Sequence, residues 1–263
     1  MGVFFYYLFA LENFKIITLS FYQIIKMIFR KSKYVLIFNL LLIFTNCTAQ
    51  SQLIKSELET VSVENIDYFL YFPKDYETTT KKYGILLFLH GSGDIPTDKN
   101  QKILPPKALT DGTEFPFLVL APQLLAPRKM WNTKAIKQLL DTVVKNNRID
   151  KNKIYLSGLS RGGAAAWNLA IEYPNTFAAL AVVCGMAPTP YASWMDKELP
   201  IWVFHGEEDT SIPVSESEEM VAKLKSLGYD VKFTKYKGLG HEIWDVVYSN
   251  PELYKWLDKQ EKK

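Results

Sequence analysis

The sequence predicts an α/β fold, a mostly parallel central sheet with helices on both faces. Three observations predict it. Apolar runs closed by glycine, such as "YGILLFLHG" (83–91) and "LPIWVFHG" (199–206), have the composition of strands buried on both faces. Stretches with apolar residues at helical spacing alternate with these runs, which is the pattern of βαβ units. The residues able to do chemistry, His90-Gly91, Ser160, His205-Gly206 and Asp209, each follow an apolar run. An open parallel sheet places its ligands there, beyond the carboxyl ends of its strands.

Taken in order, "VSVENIDYFLYFPK" (61–74) predicts a hairpin with polar residues at the bend. "YGILLFLHG" and "FPFLVLAPQ" (115–123) are the next two strands. "NTKAIKQLLDTVVKNN" (132–147) predicts a helix, with Ile136, Leu139, Leu140, Val143 and Val144 on one face. "KIYLSG" (153–158) is a strand, and "GGAAAWNLAIEYP" (162–174) a helix stopped before Pro174. "FAALAVVCG" (177–185) and "LPIWVFHG" are buried strands. "VSESEEMVAKLKSLG" (214–228) is a helix ended by Gly228, "YDVKFTKYKG" (229–238) a strand, and "NPELYKWLDKQ" (250–260) a final helix.

The chain has 263 residues, 48% of them hydrophobic and 22% charged. Its net charge of +3 is concentrated at the start, where Lys15, Lys26, Arg30, Lys31 and Lys33 stand against Glu12 alone before Gln50. The rest is close to neutral, which gives no reason to expect a nucleic-acid partner. Arg30, Lys31 and Lys33 precede an apolar run from Tyr34 to Phe44. That run is too short to span a bilayer and has the length of a signal-peptide core. Residues 1–49 are therefore expected to be a signal-peptide region and 50–263 a single domain outside the cytoplasm. Met27, just ahead of the basic cluster, is the expected initiator, which makes residues 1–26 an over-extended start. The alternative is a membrane anchor built from both apolar stretches. Cys47 has two readings. Cleavage after Ala49 discards it, and cleavage before it leaves a lipidated N-terminal cysteine, the one membrane contact expected of the mature chain. Cys184, in "AVVCG", reads as a buried small hydrophobe.

Gly158-Leu159-Ser160-Arg161-Gly162 is a G-x-S-x-G. Chance produces one on the order of one time in ten in a chain this long, so its setting decides. It falls between a predicted strand and a predicted helix, where a tight turn lifts a serine hydroxyl above the sheet. Such a hydroxyl needs a base. Of the three histidines, His90 and His205 each precede a glycine at a strand end and read as loop-shaping residues. His241, in "GLGHEIW", is exposed among glycines and reads as the general base. The base needs an orienting carboxylate. "FHGEEDTSIPV" offers Glu207, Glu208 and Asp209, and Asp209 is favoured, with the other two facing solvent. No H-E-x-x-H, cysteine pair or Gly-rich phosphate loop appears, so no metal or cofactor is expected.

"FLHGSGD", "GLSRGG", "HGEEDTSIPV" and "GLGHEIW" together resemble the α/β-hydrolase superfamily. Within it they are similar to secreted carboxylesterases related to feruloyl and acetylxylan esterases, and to the catalytic domain of prolyl oligopeptidases. The resemblance covers roughly residues 66–257. It implies an α/β-hydrolase catalytic domain with the chain order Ser160, Asp209, His241. "HGEEDTSIPV" follows the family's H-G-x-x-D-x-x-V-P with Ile212 for Val, and this match fixes Asp209. The resemblance also implies a two-amide oxyanion hole, from Arg161 N–H and from Ser92 N–H, with Gly93 as the second choice.

The expected activity is therefore a serine esterase acting through an acyl-enzyme, on a small-molecule or polysaccharide ester. A peptidase of prolyl oligopeptidase type, or a non-catalytic surface-binding protein on this fold, are the alternatives. Only "MAPTPYASWMDKELP" (186–200) lies where lids often insert, so no lid domain is expected. An open site suits soluble or polymeric esters, here carbohydrate-linked acetyl or feruloyl groups. Trp131, Tyr191 and Trp194 are candidates to stack on sugar or feruloyl rings, with ordinary packing as the alternative. The polar, proline-rich segment 95–116 is another candidate binding wall.

Overall fold

The computed structural model describes residues 54–59, 65–92, 104–109, 116–124 and 130–262. The basic cluster, the apolar run that follows it, Cys47, Gly93 and most of segment 95–116 lie outside the described residues.

Eight strands form one sheet in the order β1-β2-β4-β3-β5-β6-β7-β8. They are β1 (Ile54–Glu59), β2 (Asn65–Tyr71), β3 (Tyr83–Leu89), β4 (Phe117–Pro122), β5 (Ile149–Leu159), β6 (Ala179–Val183), β7 (Ile201–Gly206) and β8 (Val231–Tyr236). All neighbours from β4 to β8 run parallel. Only β1 and β2 are antiparallel, to each other and, for β2, to β4. The antiparallel pair corrects the expected hairpin. Its first strand is Ile54–Glu59, upstream of Val61-Ser62-Val63, with Glu59 opposite Asn65. The signal was present in the sequence, because "IKSELE" alternates apolar or small with charged residues at the strand period.

Every residue of β3, β4, β6 and β7 is buried, as strands covered on both faces require. The two faces carry separate cores. Ile85, Leu87 and Leu89 of β3 face one core. It also takes the apolar stripes of α1 (Thr133–Asn146), α2 (Arg161–Glu172) and α3 (Val214–Ser226). Leu86 and Phe88 face the other, which takes Val247 and Tyr248 of α4 (Trp244–Tyr248) and Leu253, Tyr254 and Leu257 of α5 (Pro251–Asp258). The alternation along one strand divides its side chains between the two layers. The stripe of α1 ends at Val143 and excludes half-buried Val144 from the fully buried set. Among the described residues no helix is long and apolar enough to cross a membrane.

The strand order sets the position of the site. The chain steps from β3 to β4 on one side, returns to β5 on the other, and continues outward to β8. The order reverses between β3 and β5, so a crevice opens beyond their carboxyl ends. Leu89 pairs with Gly158 in register, which brings His90-Gly91 beside Ser160. Between β6 and β7 there is only coil and a 3-10 turn, Thr189–Trp194.

Candidate active site

Ser160 sits between the end of β5 and the start of α2, with φ 53° and ψ −119°. This left-handed backbone costs a non-glycine residue about 1–3 kcal/mol, which the surroundings must offset. They do so from both sides. Ser160 N–H donates to Val183 O at 2.8 Å, and Ser160 O accepts from Ala164 N–H at 3.0 Å, opening the helix. The turn is so tight that a Cβ on Gly162 would lie 2.0 Å from Leu89 O. That contact explains the glycine after the serine in chemical terms.

His241 follows β8, and its Nε2 lies 2.9 Å from Ser160 Oγ. Its Nδ1 lies 2.6 Å from Asp209 Oδ2. Asp209 Oδ1 accepts from Ser211 N–H and Ile212 N–H, both at 2.8 Å. Burial alone would raise the Asp209 carboxyl. The His241 hydrogen bond and the two backbone amides outweigh it and hold the group below the ordinary carboxylate range. An ionised Asp209 obliges Nδ1 of His241 to carry a proton, which leaves the Nε2 lone pair for the serine hydroxyl. Glu207 and Glu208 are exposed, whereas the Asp209 side chain is fully buried. The two loops are tied by backbone: Glu207 N–H donates to Tyr236 O and Glu208 N–H to Leu239 O, both at 3.0 Å. The Cys184 thiol at the end of β6 donates to His241 O at 3.4 Å.

Arg161 and Ser92 both line the cleft above Ser160. His90 controls the second of them. Its Nε2 accepts from Leu124 N–H at 3.0 Å and its Nδ1–H donates to Gly91 O at 2.7 Å. Carbonyl and amide of one trans peptide point in opposite directions. Tying Gly91 O to His90 therefore turns Ser92 N–H the other way. Burial pushes the His90 imidazole down to about 4, with the charge of Arg161 adding to the fall against the Gly91 hydrogen bond.

The cleft measures about 690 Å³, and Leu104, Met130, Met186, Ile212 and Trp244 give it apolar walls. Met130 and Met186 are exposed, and nothing in the sequence singled them out. Trp131, Tyr191 and Trp194 are not among the cleft's lining residues. Trp131 is buried and packs edge-on against His90, ring centroids 4.9 Å apart. Tyr191 and Trp194 form an exposed pair, 4.9 Å between centroids, on the 3-10 turn. The indole that does border the site is Trp244, edge-on to His241 at 6.0 Å.

One set of metal-capable groups gathers among the described residues: Cys184, Asp209 and His241, with ligand atoms within 4.8 Å of one another. Burial pushes the Cys184 thiol up to about 12, so it stays protonated and donates to His241 O. The carboxylate and imidazole are committed to each other. This donor set suits the hydrogen-bonded chain rather than a cation.

The sheet order, the serine elbow and the strand-end loops define an α/β-hydrolase fold with a Ser-His-Asp arrangement at its switch point. The comparisons with known proteins agree on the fold. A family model described as phospholipase/carboxylesterase matches residues 127–252. Carboxylesterase SOBER1 of Arabidopsis thaliana is 28% identical over 148 residues, 54% of this chain and 62% of that protein. The chain spans about half the length of the curated relatives it matches. The crystal structure of a thermostable esterase superposes with a TM-score of 0.70 at 30% identity, over 80% of this chain and 63% of that one. A ferulic acid esterase shares the fold at a TM-score of 0.62 and 19% identity, over 79% of this chain and 97% of that one.

Proposed function

We propose that the protein is a serine esterase that cleaves carboxylic esters through an acyl-enzyme. The observation that carries this reading is the unbroken chain from Asp209 through His241 to Ser160, at 2.6 and 2.9 Å. Ser160 Oγ attacks the ester carbonyl while His241 Nε2 takes the serine proton. The new alkoxide is held by Arg161 N–H and Ser92 N–H, each worth about 3 kcal/mol by analogy with single-donor deletions. His241 returns the proton to the leaving alcohol. Water, deprotonated by His241, then attacks the acyl-serine and releases the acid.

The substrate in this reading is a carbohydrate-linked acetyl or feruloyl ester. The open connection between β6 and β7 supports access by a polymer. The volume and apolar walls of the cleft support the larger acyl group, because an acetyl group fills a small part of about 690 Å³. The basic cluster and apolar run ahead of Gln50 support export, with or without lipid at Cys47. A fluorophosphonate probe tests the chemistry: wild type labels and Ser160→Ala does not, with kcat lowered about 10⁴-fold or more. A panel of feruloyl, acetyl and peptide substrates tests the specificity. Hydrolysis confined to peptides overturns the ester reading, and acetyl release without ferulate release overturns the preference for the larger acid.

A further inference from the structure

His205 is fully buried at the end of β7, and the scheme above gives it no task. Its surroundings are specific. Nδ1 lies 2.8 Å from Ser217 Oγ on α3, itself buried. Nε2 lies 2.9 Å from Ile212 O and 3.1 Å from Asp209 Oδ2. Two oxygens that can only accept face Nε2, so Nε2 carries the proton and Nδ1 accepts from the Ser217 hydroxyl. The other tautomer would aim a lone pair at a carbonyl and a carboxylate together.

We infer that His205 is a positioning residue for Asp209, clamping the loop 209–212 from beneath while its N–H faces the carboxylate oxygen that His241 uses. The two effects reinforce each other. Ile212 donates its N–H to Asp209 Oδ1 while His205 holds its carbonyl. One imidazole thus holds the carbonyl of the residue whose N–H orients one carboxylate oxygen, and lies against the other oxygen. Ser217 sets the tautomer from a separate helix. The groups that face Asp209 are then His241, His205, the amides of Ser211 and Ile212, and the Cys184 thiol. Of the two imidazoles, only His241 reaches the serine.

This inference rests on the serine esterase reading, and the test separates the two. In the full chain, His205→Leu removes the N–H, His205→Gln keeps a donor at the same reach, and Ser217→Ala removes the tautomer lock. For His205→Leu we expect kcat to fall about 10- to 100-fold at unchanged KM. The acidic limb of its kcat/KM profile moves to higher pH, because a carboxylate with one donor fewer binds a proton more readily. His205→Gln regains most of the rate and the wild-type limb. Ser217→Ala shows the same limb shift to a smaller extent, and it decides the matter if His205→Leu does not fold. A folded His205→Leu with the wild-type limb, or equal impairment in the Leu and Gln variants, overturns the inference. So does a wild-type limb in Ser217→Ala. Failure of wild type to hydrolyse esters or take the fluorophosphonate label would instead overturn the reading beneath it.

Discussion

Two buried strands, β3 and β7, are closed by the same dipeptide, His-Gly, and the two loops hold the site in opposite ways. His90 donates from Nδ1 to the carbonyl of its own neighbour and accepts at Nε2 from Leu124. His205 donates from Nε2 to a loop seven residues on and accepts at Nδ1 from a helix. Each imidazole is hydrogen-bonded at both nitrogens, and its partners set the two rings in different tautomers. The first fixes the Gly91–Ser92 peptide, which borders the cleft. The second fixes a loop, whose carboxylate faces an imidazole. The same two residues thus steady two different loops that border one cleft.

The glycines of the two pairs break the symmetry, and substituting them gives the largest expected effect. A Cβ on Gly206 would lie 2.1 Å from Gly240 O and 2.4 Å from Leu239 O. Both are backbone atoms of the loop that carries His241, and they cannot turn aside. A Cβ on Gly91 would meet the tip of the Leu159 side chain at 2.7 Å, which can move, and Ser160 Cβ at 3.2 Å. Gly206→Ala therefore pushes the His241 loop off the Asp209 loop and should lower kcat/KM about 100-fold or more. Gly91→Ala should cost about tenfold or less. Ester kinetics on the two variants, with melting temperatures alongside, measure the contrast. Equal losses would show that the loop after β7 is no more rigid than the loop after β3.

The next effect is on stability and separates the loops by pH. The folded state holds His90 down to about 4 by burial, whereas an unfolded histidine protonates near 6.5. Protonation therefore favours unfolding. The His90 contribution is complete above about pH 6.5, declines between there and about pH 4, and totals about 3 kcal/mol. Asp209 has the same sign at lower pH. Its folded carboxyl is held down, so its contribution is present above the unfolded carboxylate value and is lost as pH falls through the folded one. Urea unfolding of wild type should weaken between pH 7 and pH 5, before carboxylates titrate strongly. His90→Gln should be weaker at pH 7 and nearly flat over that interval. An equally steep decline in the variant would assign the loss to other groups.

The contrast also shows what a linear sequence conveys. The buried strands were legible because burial on both faces leaves almost no polar residue between Tyr83 and Leu89 or between Ile201 and Phe204. Ser160 and His241 were legible as residue types after strands, Asp209 was singled out from Glu207 and Glu208 by the motif match, and the structure brings the three within hydrogen-bonding distance. The task of His205 was not legible. It depends on Ser217 and Ile212, which the turn after β7 folds back onto it, and no local pattern encodes that return. The cleft walls were missed for another reason. Met130 and Met186 are isolated apolar residues in loops, with no periodicity to mark them. For Trp131 the sequence leaves stacking and packing open, because an aromatic near a site has the same sequence appearance whether it faces the cleft or supports the loop beneath.

Trp131 supplies the smallest effect and the finest test of the β3 side. It packs edge-on against His90, yet its indole N–H is buried without a hydrogen-bond partner among the described residues. Among the described residues its contribution is shape alone. Trp131→Phe keeps an aromatic edge against the imidazole and removes a polar group that gains nothing from burial, so stability should change by less than about 1 kcal/mol. Trp131→Ala leaves a cavity beside His90 and should cost about 3–5 kcal/mol. Ester KM should be unchanged in Trp131→Phe, because the side chain supports the loop and does not line the cleft. A raised KM with intact stability would place the indole against substrate, and would move the substrate wall toward the loop after β3.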